Sequence, residues 1–267
     1  MKAYLFARQG ATHQSDAMRA LNEGLIRHGI RLADSIEDAD FTVWWGDVAP
    51  PHARGKPYLV LEAGYINGHS DDYVRDRLRF ISGNWNGLHG RASRAPSGCP
   101  PDRWNSLGLT MKPWRLPERR VTALVCGQHP GDRNAPPSGR WLTVCERARA
   151  HFDVVVMRQH PLIEGDQPPI EVALQRADVA ITWNSNSAVE CVIEGVPTIT
   201  LDRGSIAWQV TSHRIEDPLR LADRAEWGYN LAYRQWRHHE FANGTAWEWL
   251  QYGIADHNGP GSGTSHA

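Results

Sequence analysis

Cysteine is scarce in this chain: four in 267 residues, at positions 99, 126, 145 and 191, with no C-x-x-C pair. That spacing argues against a structural zinc site. Cys126 and Cys191 lie inside apolar runs and read as buried thiols. Long apolar stretches are missing as well; none approaches the ~20 residues that span a bilayer. Neither charge is in excess, with 29 basic against 30 acidic residues and a net charge of −1. No whole-protein field draws the chain to nucleic acid, so such a partner would have to meet a local basic face. The first eight residues are strand-like and lack the build of a signal peptide. The expectation is a soluble protein of a reducing cytoplasm, the host cytoplasm for a phage-encoded chain, with no membrane partner.

What is present is a 41% apolar content, enough for a real core, and an ordinary 22% of charged residues. Tryptophan is frequent, with 12 residues. Several stand in polar surroundings, which suits stacking surfaces for rings or sugars.

The periodicity is that of an α/β protein. Residues 4–7, 41–45 and 57–61 read as strands, with an amphipathic helix at 16–28 that carries Met18, Leu21, Leu25 and Ile26 on one face and stops at Gly29. Residues 67–114 are irregular, with one possible strand at 80–81 and a glycine-punctuated loop at 84–90. Residues 112–120, with two prolines and four basic residues, read as an interdomain linker. The pattern then restarts, with strands at 121–126, 152–157, 179–182 and 198–201 and helices at 139–151, 171–176 and 188–194. No two-residue hairpin signal interrupts this half, which favours a parallel sheet. Residues 218–252 are helical and Trp-rich, and the Gly/Ser/His-rich end at 256–267 has the composition of a disordered tail. The expected domains are 1–115, 116–215, a helical segment 216–254 and a tail from 255.

Ligands of open parallel sheets sit beyond the carboxyl ends of the strands. Polar groups recur at those positions here: Gln128 and Asp132, Arg158 and His160, the Asn-Ser-Asn-Ser turn at 184–187, and Asp202 with Arg203. The turn precedes a helix, whose first amides and dipole suit a phosphate, with Ser185, Asn186 and Ser187 adding donors and Glu190 in reach of ribose hydroxyls. The same Ser187-x-x-Glu190 spacing also fits a capping box, a purely structural use. Arg158 and His160 can donate to phosphate oxygens. Gly127 and Gly131 allow close backbone approach, and Asp132 is a possible base or sugar-hydroxyl acceptor. In the first half Glu62, at the end of a strand, suits a base that activates an acceptor hydroxyl; Asp47 has the same placement with less support. Asn86, His89 and Arg91 belong to a loop that mixes rings with donors and could hold an acceptor. Basic clusters at 75–79, 91–94 and 112–120, interleaved with Trp85, Trp104 and Trp114, fit either a solvated face or a phosphate-backbone contact.

Residues 121–205 resemble the nucleotide-binding domain of two-domain GT-B glycosyltransferases. Strand–His160-Pro161, then Asn184-Ser-Asn-Ser-Ala-Val-Glu190 and Glu194-Gly-Val-Pro197, are similar to the capsule-polysaccharide and Kdo-transferase group. That resemblance implies that the His-Pro pair, the Ser-rich turn and the downstream Glu hold the donor's nucleotide. It also implies a C-terminal helix that returns to the first domain, for which 218–252 is placed. The whole chain resembles small glycosyltransferase-like proteins of tailed phages in Glu62-x-Gly-Tyr65, Asn86-Gly-Leu-His-Gly90 and Asn230-Leu-Ala-Tyr-x-Gln-Trp236. Some of those are thought to decorate hydroxymethylated bases in phage DNA.

The resulting expectation is a GT-B-like α/β protein with two Rossmann-type domains, parallel sheets and a C-terminal helical segment. It would move a sugar from a nucleotide-sugar, a UDP-sugar first, to a hydroxyl acceptor. The favoured acceptor is a hydroxymethylated pyrimidine in DNA, whose extrusion from the stack costs a few kcal/mol. Gln128, Arg158, His160, Ser185, Asn186, Ser187 and Glu190 would bind the donor; Glu62 or Asp132 would be the base; Asn86, His89 and Arg91 would hold the acceptor. No cofactor and no metal are expected. The alternatives are a sugar-nucleotide epimerase or hydrolase, a polysaccharide glycosyltransferase, and a non-catalytic nucleic-acid-binding protein.

Overall fold

The computed structural model describes residues 1–8, 10–46, 53–66, 80–93, 95–117, 121–129, 131–132, 134–137, 139–161, 163 and 168–255. Asp47, the arginines at 75, 77, 79, 94, 119 and 120, and the tail from 256 lie outside them. The chain divides into two compact units: Met1–Leu88 with Ala92–Cys99 and Asn230–Ala267, and His89–Arg91 with Pro100–Tyr229. The described part of the expected linker runs along the second unit instead of standing apart. Lys112 N donates to Ile193 O (2.9 Å) and Arg115 N to Gly195 O (2.7 Å).

The first unit is a six-stranded sheet built from β1 (Lys2–Phe6), β2 (Arg31–Leu32), β3 (Phe41–Trp45), β4 (Tyr58–Ala63) and β5 (Ile81–Trp85), with a late strand, Gln235–Trp236, at its edge. β2, β1, β3 and β4 are parallel; β5 runs antiparallel to β4, and the late strand antiparallel to β5. The three strands expected in this half are thus parallel to one another as anticipated, and β5 and the late strand add an antiparallel edge to them. The helix Thr12–Arg27 (α1) buries Ala17, Met18, Leu21 and Leu25 at helical spacing; Ile26, expected on that face, is exposed. Against the sheet, Phe41 stacks on Trp247 with ring centroids 5.3 Å apart, and Trp85 meets both edge-on. The C-terminal helices His238–Ala242 and Thr245–Leu250 supply Phe241 and Trp247 to this unit as buried side chains. Trp44, Trp85 and Trp236 are buried here too, and in the second unit so are Trp104 and Trp227. Much of the tryptophan content is therefore core, with indole N–H groups spent internally, as in Trp85 Nε1 to Leu250 O (2.8 Å).

The second unit holds a four-stranded, all-parallel sheet in the order Val154–Arg158 (β7), Thr122–Cys126 (β6), Val179–Thr182 (β8), Thr198–Thr200 (β9). Both faces are covered, so both sets of alternating residues are apolar. Ala123, Val125, Val179 and Ile181 pack with the helix Arg140–Arg149; Leu124, Cys126 and Ala180 pack with Leu174 and Cys191. The helix Ser187–Ile193 ends on Gly195, whose φ of +75° lets Val196 N reach Cys191 O (2.9 Å) and Gly195 N reach Val192 O (3.2 Å). Among the described residues no helix is long and apolar enough to cross a membrane.

Candidate functional site

The carboxyl ends of β6, β7, β8 and β9 carry the polar residues anticipated there, and hydrogen bonds tie their loops together. After β6, Gln128 Nε2 donates to Asp132 Oδ2 (2.6 Å), and Asp132 Oδ1 accepts from Asn134 N (2.9 Å). After β8, Asn184 Nδ2 donates to Asn134 O and to Asp202 Oδ1, both at 3.0 Å. After β9, Asp202 Oδ1 also accepts from Gly204 N (2.8 Å). Arg91 closes this network: its Nη2 donates to Asp202 Oδ1 and Oδ2 at 2.8 and 2.9 Å, and its Nη1 to Asn134 Oδ1 at 3.2 Å. Gly90 makes this approach possible. Its amide donates to Gly204 O, and a Cβ there would stand 2.5 Å from Ser205 O.

Beneath these loops the strand register aligns Arg158, Cys126 and Thr182 in one row across the sheet. Arg158 is anchored through its Nη2 to Pro168 O (3.0 Å). Four side-chain atoms at these strand ends are buried with no hydrogen-bond partner among the described residues: Gln128 Oε1, Arg158 Nε, Thr182 Oγ1 and Asn186 Oδ1. A buried polar group left unpaired costs about 1–3 kcal/mol. Four together at the carboxyl edge of one sheet have the chemistry of a ligand site. The His129 and His160 rings meet edge to face, 5.6 Å between centroids. Gly131 N donates to His129 Nδ1, which places that ring's proton on Nε2.

Glu190 is half-buried on the first turn of the Ser187–Ile193 helix. Burial pushes its pKa up to about 8; the Glu171 carboxylate and Cys126 add to the rise, and Arg158 opposes it. At neutral pH it is therefore mostly a neutral acid that can donate a hydrogen bond. The capping-box alternative fails on geometry. The cap position is Asn186, no side chain caps the helix, and the Ser187 hydroxyl donates to Ser185 Oγ (3.0 Å). The free amides expected at the helix start are also engaged: Ser187 N with Ser185 Oγ, Ala188 N with Ser185 O and Val189 N with Asn186 O. The helix has seven residues, so its side chains, rather than its dipole or amides, are what it offers a ligand.

In the first unit Glu62 lies on β4, half-buried, with Oε1 accepting from Ala63 N (2.9 Å). Nearby, the Tyr65 hydroxyl donates to Asn84 Oδ1 (3.0 Å), and burial raises its pKa above the ordinary phenol value. Asn84 and Trp85 belong to β5, not to the loop expected at 84–90. Asn86, at φ +57°, spends both ends of its amide on structure: Oδ1 accepts from Tyr58 N and Nδ2 donates to Ser93 Oγ, each at 3.0 Å. His89, at φ +53°, opens the short turn His89–Arg91 of the second unit. Of the basic residues read as a possible nucleic-acid face, Arg91 pairs with Asp202, Lys112 with Glu194, and Arg115 donates to Leu174 O and Ala177 O.

The residues that sequence reasoning missed are Thr182, Asn134 and His129, together with the anchoring role of Asp202. One signal was available. Gln-His-Pro occurs twice, at 128–130 and 159–161, and the two copies follow the adjacent strands β6 and β7, which is why the two imidazoles meet.

No protein-family model matches the chain, and no curated protein matches it. Solved structures do. The chain is similar to the KpsC β-Kdo 2,4-transferase of Thermosulfurimonas dismutans, with a TM-score of 0.55 and 15% identity over 86% of this chain and 90% of that one. It is also similar to the KpsC β-Kdo 2,7-transferase of the same organism, with a TM-score of 0.51 and 13% identity over 94% of this chain and 99% of that one. At such identities the likeness is one of fold: Rossmann-like units of the GT-B type found in glycosyltransferases.

Proposed function

We propose that this chain is a glycosyltransferase that takes a sugar from a nucleotide-activated donor held at the carboxyl edge of the second sheet. The observation that carries this reading is the set of buried, unpartnered polar atoms on Gln128, Arg158, Thr182 and Asn186. Arg158 and His160 would face the donor phosphate and stabilise the charge that develops on it as the glycosidic bond breaks. Neutral Glu190 and the hydroxyl of Ser185 would add donors beside them, and Ser187, whose own O–H is given to Ser185 Oγ, would orient that hydroxyl. Glu62 would be the acceptor base. Asp132 is the weaker candidate, because both of its carboxylate oxygens already accept hydrogen bonds.

The acceptor is a hydroxyl. A hydroxymethylated pyrimidine in DNA is supported by the sequence motifs shared with phage glycosyltransferase-like proteins. A saccharide hydroxyl is supported by the Kdo-transferase names of the structural neighbours. It is also favoured by the internal use of Arg91, Lys112 and Arg115, which removes three cations from a nucleic-acid face.

The test is thermal unfolding with UDP, CMP, GDP and their sugars, followed by transfer assays on hydroxymethylated DNA and on polysaccharide. Any ligand of the native state must raise its apparent stability. At least one nucleotide is expected to raise the Tm, and Arg158→Gln to abolish the shift. No shift with any nucleotide or nucleotide-sugar would overturn the donor site.

A further inference from the structure

Gln128 is buried, with 7% of its surface exposed, and its amide has only one possible orientation. The 2.6 Å contact with Asp132 Oδ2 is made by the Gln128 NH2 group, the end of the amide that can donate to a carboxylate oxygen. The other end of the amide is then an oxygen, and it is this Oε1 that lies buried without a partner among the described residues. A carbonyl oxygen is repelled by phosphate oxygens, which are acceptors too. It is completed only by an O–H or N–H. Asp132 is itself fixed, because its second oxygen holds Asn134 N, so the Gln128 amide cannot turn over without breaking a charge-assisted bond. On the neighbouring strand end, Arg158 Nε has the opposite character: a cationic N–H, buried and unpaired, that is completed only by an acceptor. The two adjoining ends of β6 and β7 therefore ask for opposite chemistries.

We infer that the site takes a phosphorylated nucleoside or sugar rather than a bare phosphate, and that Gln128, oriented by Asp132, is the residue that reads a hydroxyl or ring N–H on its uncharged part while Arg158 takes its anionic part. This rests on the donor-site reading above and adds a division of labour to it. A site with a buried acceptor discriminates strongly against ligands that lack the matching donor, because the acceptor is then left unpaired.

The experiment compares inorganic pyrophosphate with UDP, CMP and GDP by calorimetric titration on the unaltered chain and on Gln128→Met, which has similar volume and no amide. On the unaltered chain one nucleotide is expected to bind at least about 10-fold tighter than pyrophosphate. Gln128→Met is expected to weaken that nucleotide about 10-fold or more and to leave pyrophosphate affinity within about 2-fold. Arg158→Gln is expected to weaken both ligands. If pyrophosphate binds as tightly as every nucleotide, the anion site stands and the role of Gln128 is overturned. The same follows if Gln128→Met weakens both ligands alike or neither. If the unaltered chain binds none of them, the donor reading falls and this inference falls with it. Should Gln128→Met fail to fold, as judged by its thermal transition, the comparison on the unaltered chain decides alone.

Discussion

At the scale of single residues, Glu190 carries the clearest electrostatic signature. Its carboxyl keeps its proton to about pH 8 in the native state, against an ordinary value of 4.5. Between those pH values the native state binds more protons than the unfolded one, so stability falls as pH rises through that window. The contribution is complete below about pH 4.5 and has been lost by about pH 8. Glu190→Gln is neutral throughout. Urea unfolding midpoints measured from pH 5 to pH 8 should decline for the unaltered chain and stay flatter for the variant. Parallel curves would show that Glu190 ionises normally. This residue also marks where residue-level reading reached its limit. The spacing Ser187-x-x-Glu190 fits both a ligand and a cap, and only the Ser187–Ser185 hydroxyl bond and the cap position at Asn186 separate them. Gln128 was legible as a polar group at a strand end. The direction of its amide was not, because that depends on Asp132 folding back four residues later.

At the scale of elements, the parallel half was legible because β6, β8 and β9 are buried on both faces and read as continuous apolar runs. β5 was harder to read, since its sequence Ile-Ser-Gly-Asn-Trp looks like a loop. It is a strand because Ser82 and Asn84 find buried polar partners in Glu62 O and the Tyr65 hydroxyl, which no local pattern announces. The stop at Gly195 was legible, and its second constraint was not: a Cβ there would lie 2.0 Å from Pro113 O. Gly195→Ala must leave a left-handed conformation that costs a non-glycine residue about 1–2 kcal/mol and must also push away the 112–115 segment. Loss of at least about 2 kcal/mol is expected in denaturant unfolding. Asp202→Ala belongs to this scale as well. It releases Arg91, Asn184 and Gly204 N together. Loosening the 184–187 turn should weaken nucleotide binding, and the Tm shift with nucleotide should shrink by more than the Tm of the unliganded chain falls.

At the scale of the whole molecule, a net charge of −1 gives no long-range attraction for a polyanion. Recognition therefore depends on where the local groups are gathered, and for the donor they are gathered in one place. The four unpartnered atoms come from Gln128, Arg158, Thr182 and Asn186, and all four residues belong to the second unit. Hydrogen exchange turns this into a map, because ordering by a ligand slows local opening of the amides it touches. With a nucleotide alone, protection should rise in the segments 127–129, 131–132, 158–160 and 183–190. The amides of β4 and β5 in the first unit, around Glu62 and Asn84, should exchange as before. Addition of the acceptor should then slow exchange around Glu62 if that carboxylate is the base. Protection by nucleotide alone that centred on β4 and β5 would move the donor to the first unit. It would leave the buried polar atoms of the second sheet with a different ligand to find.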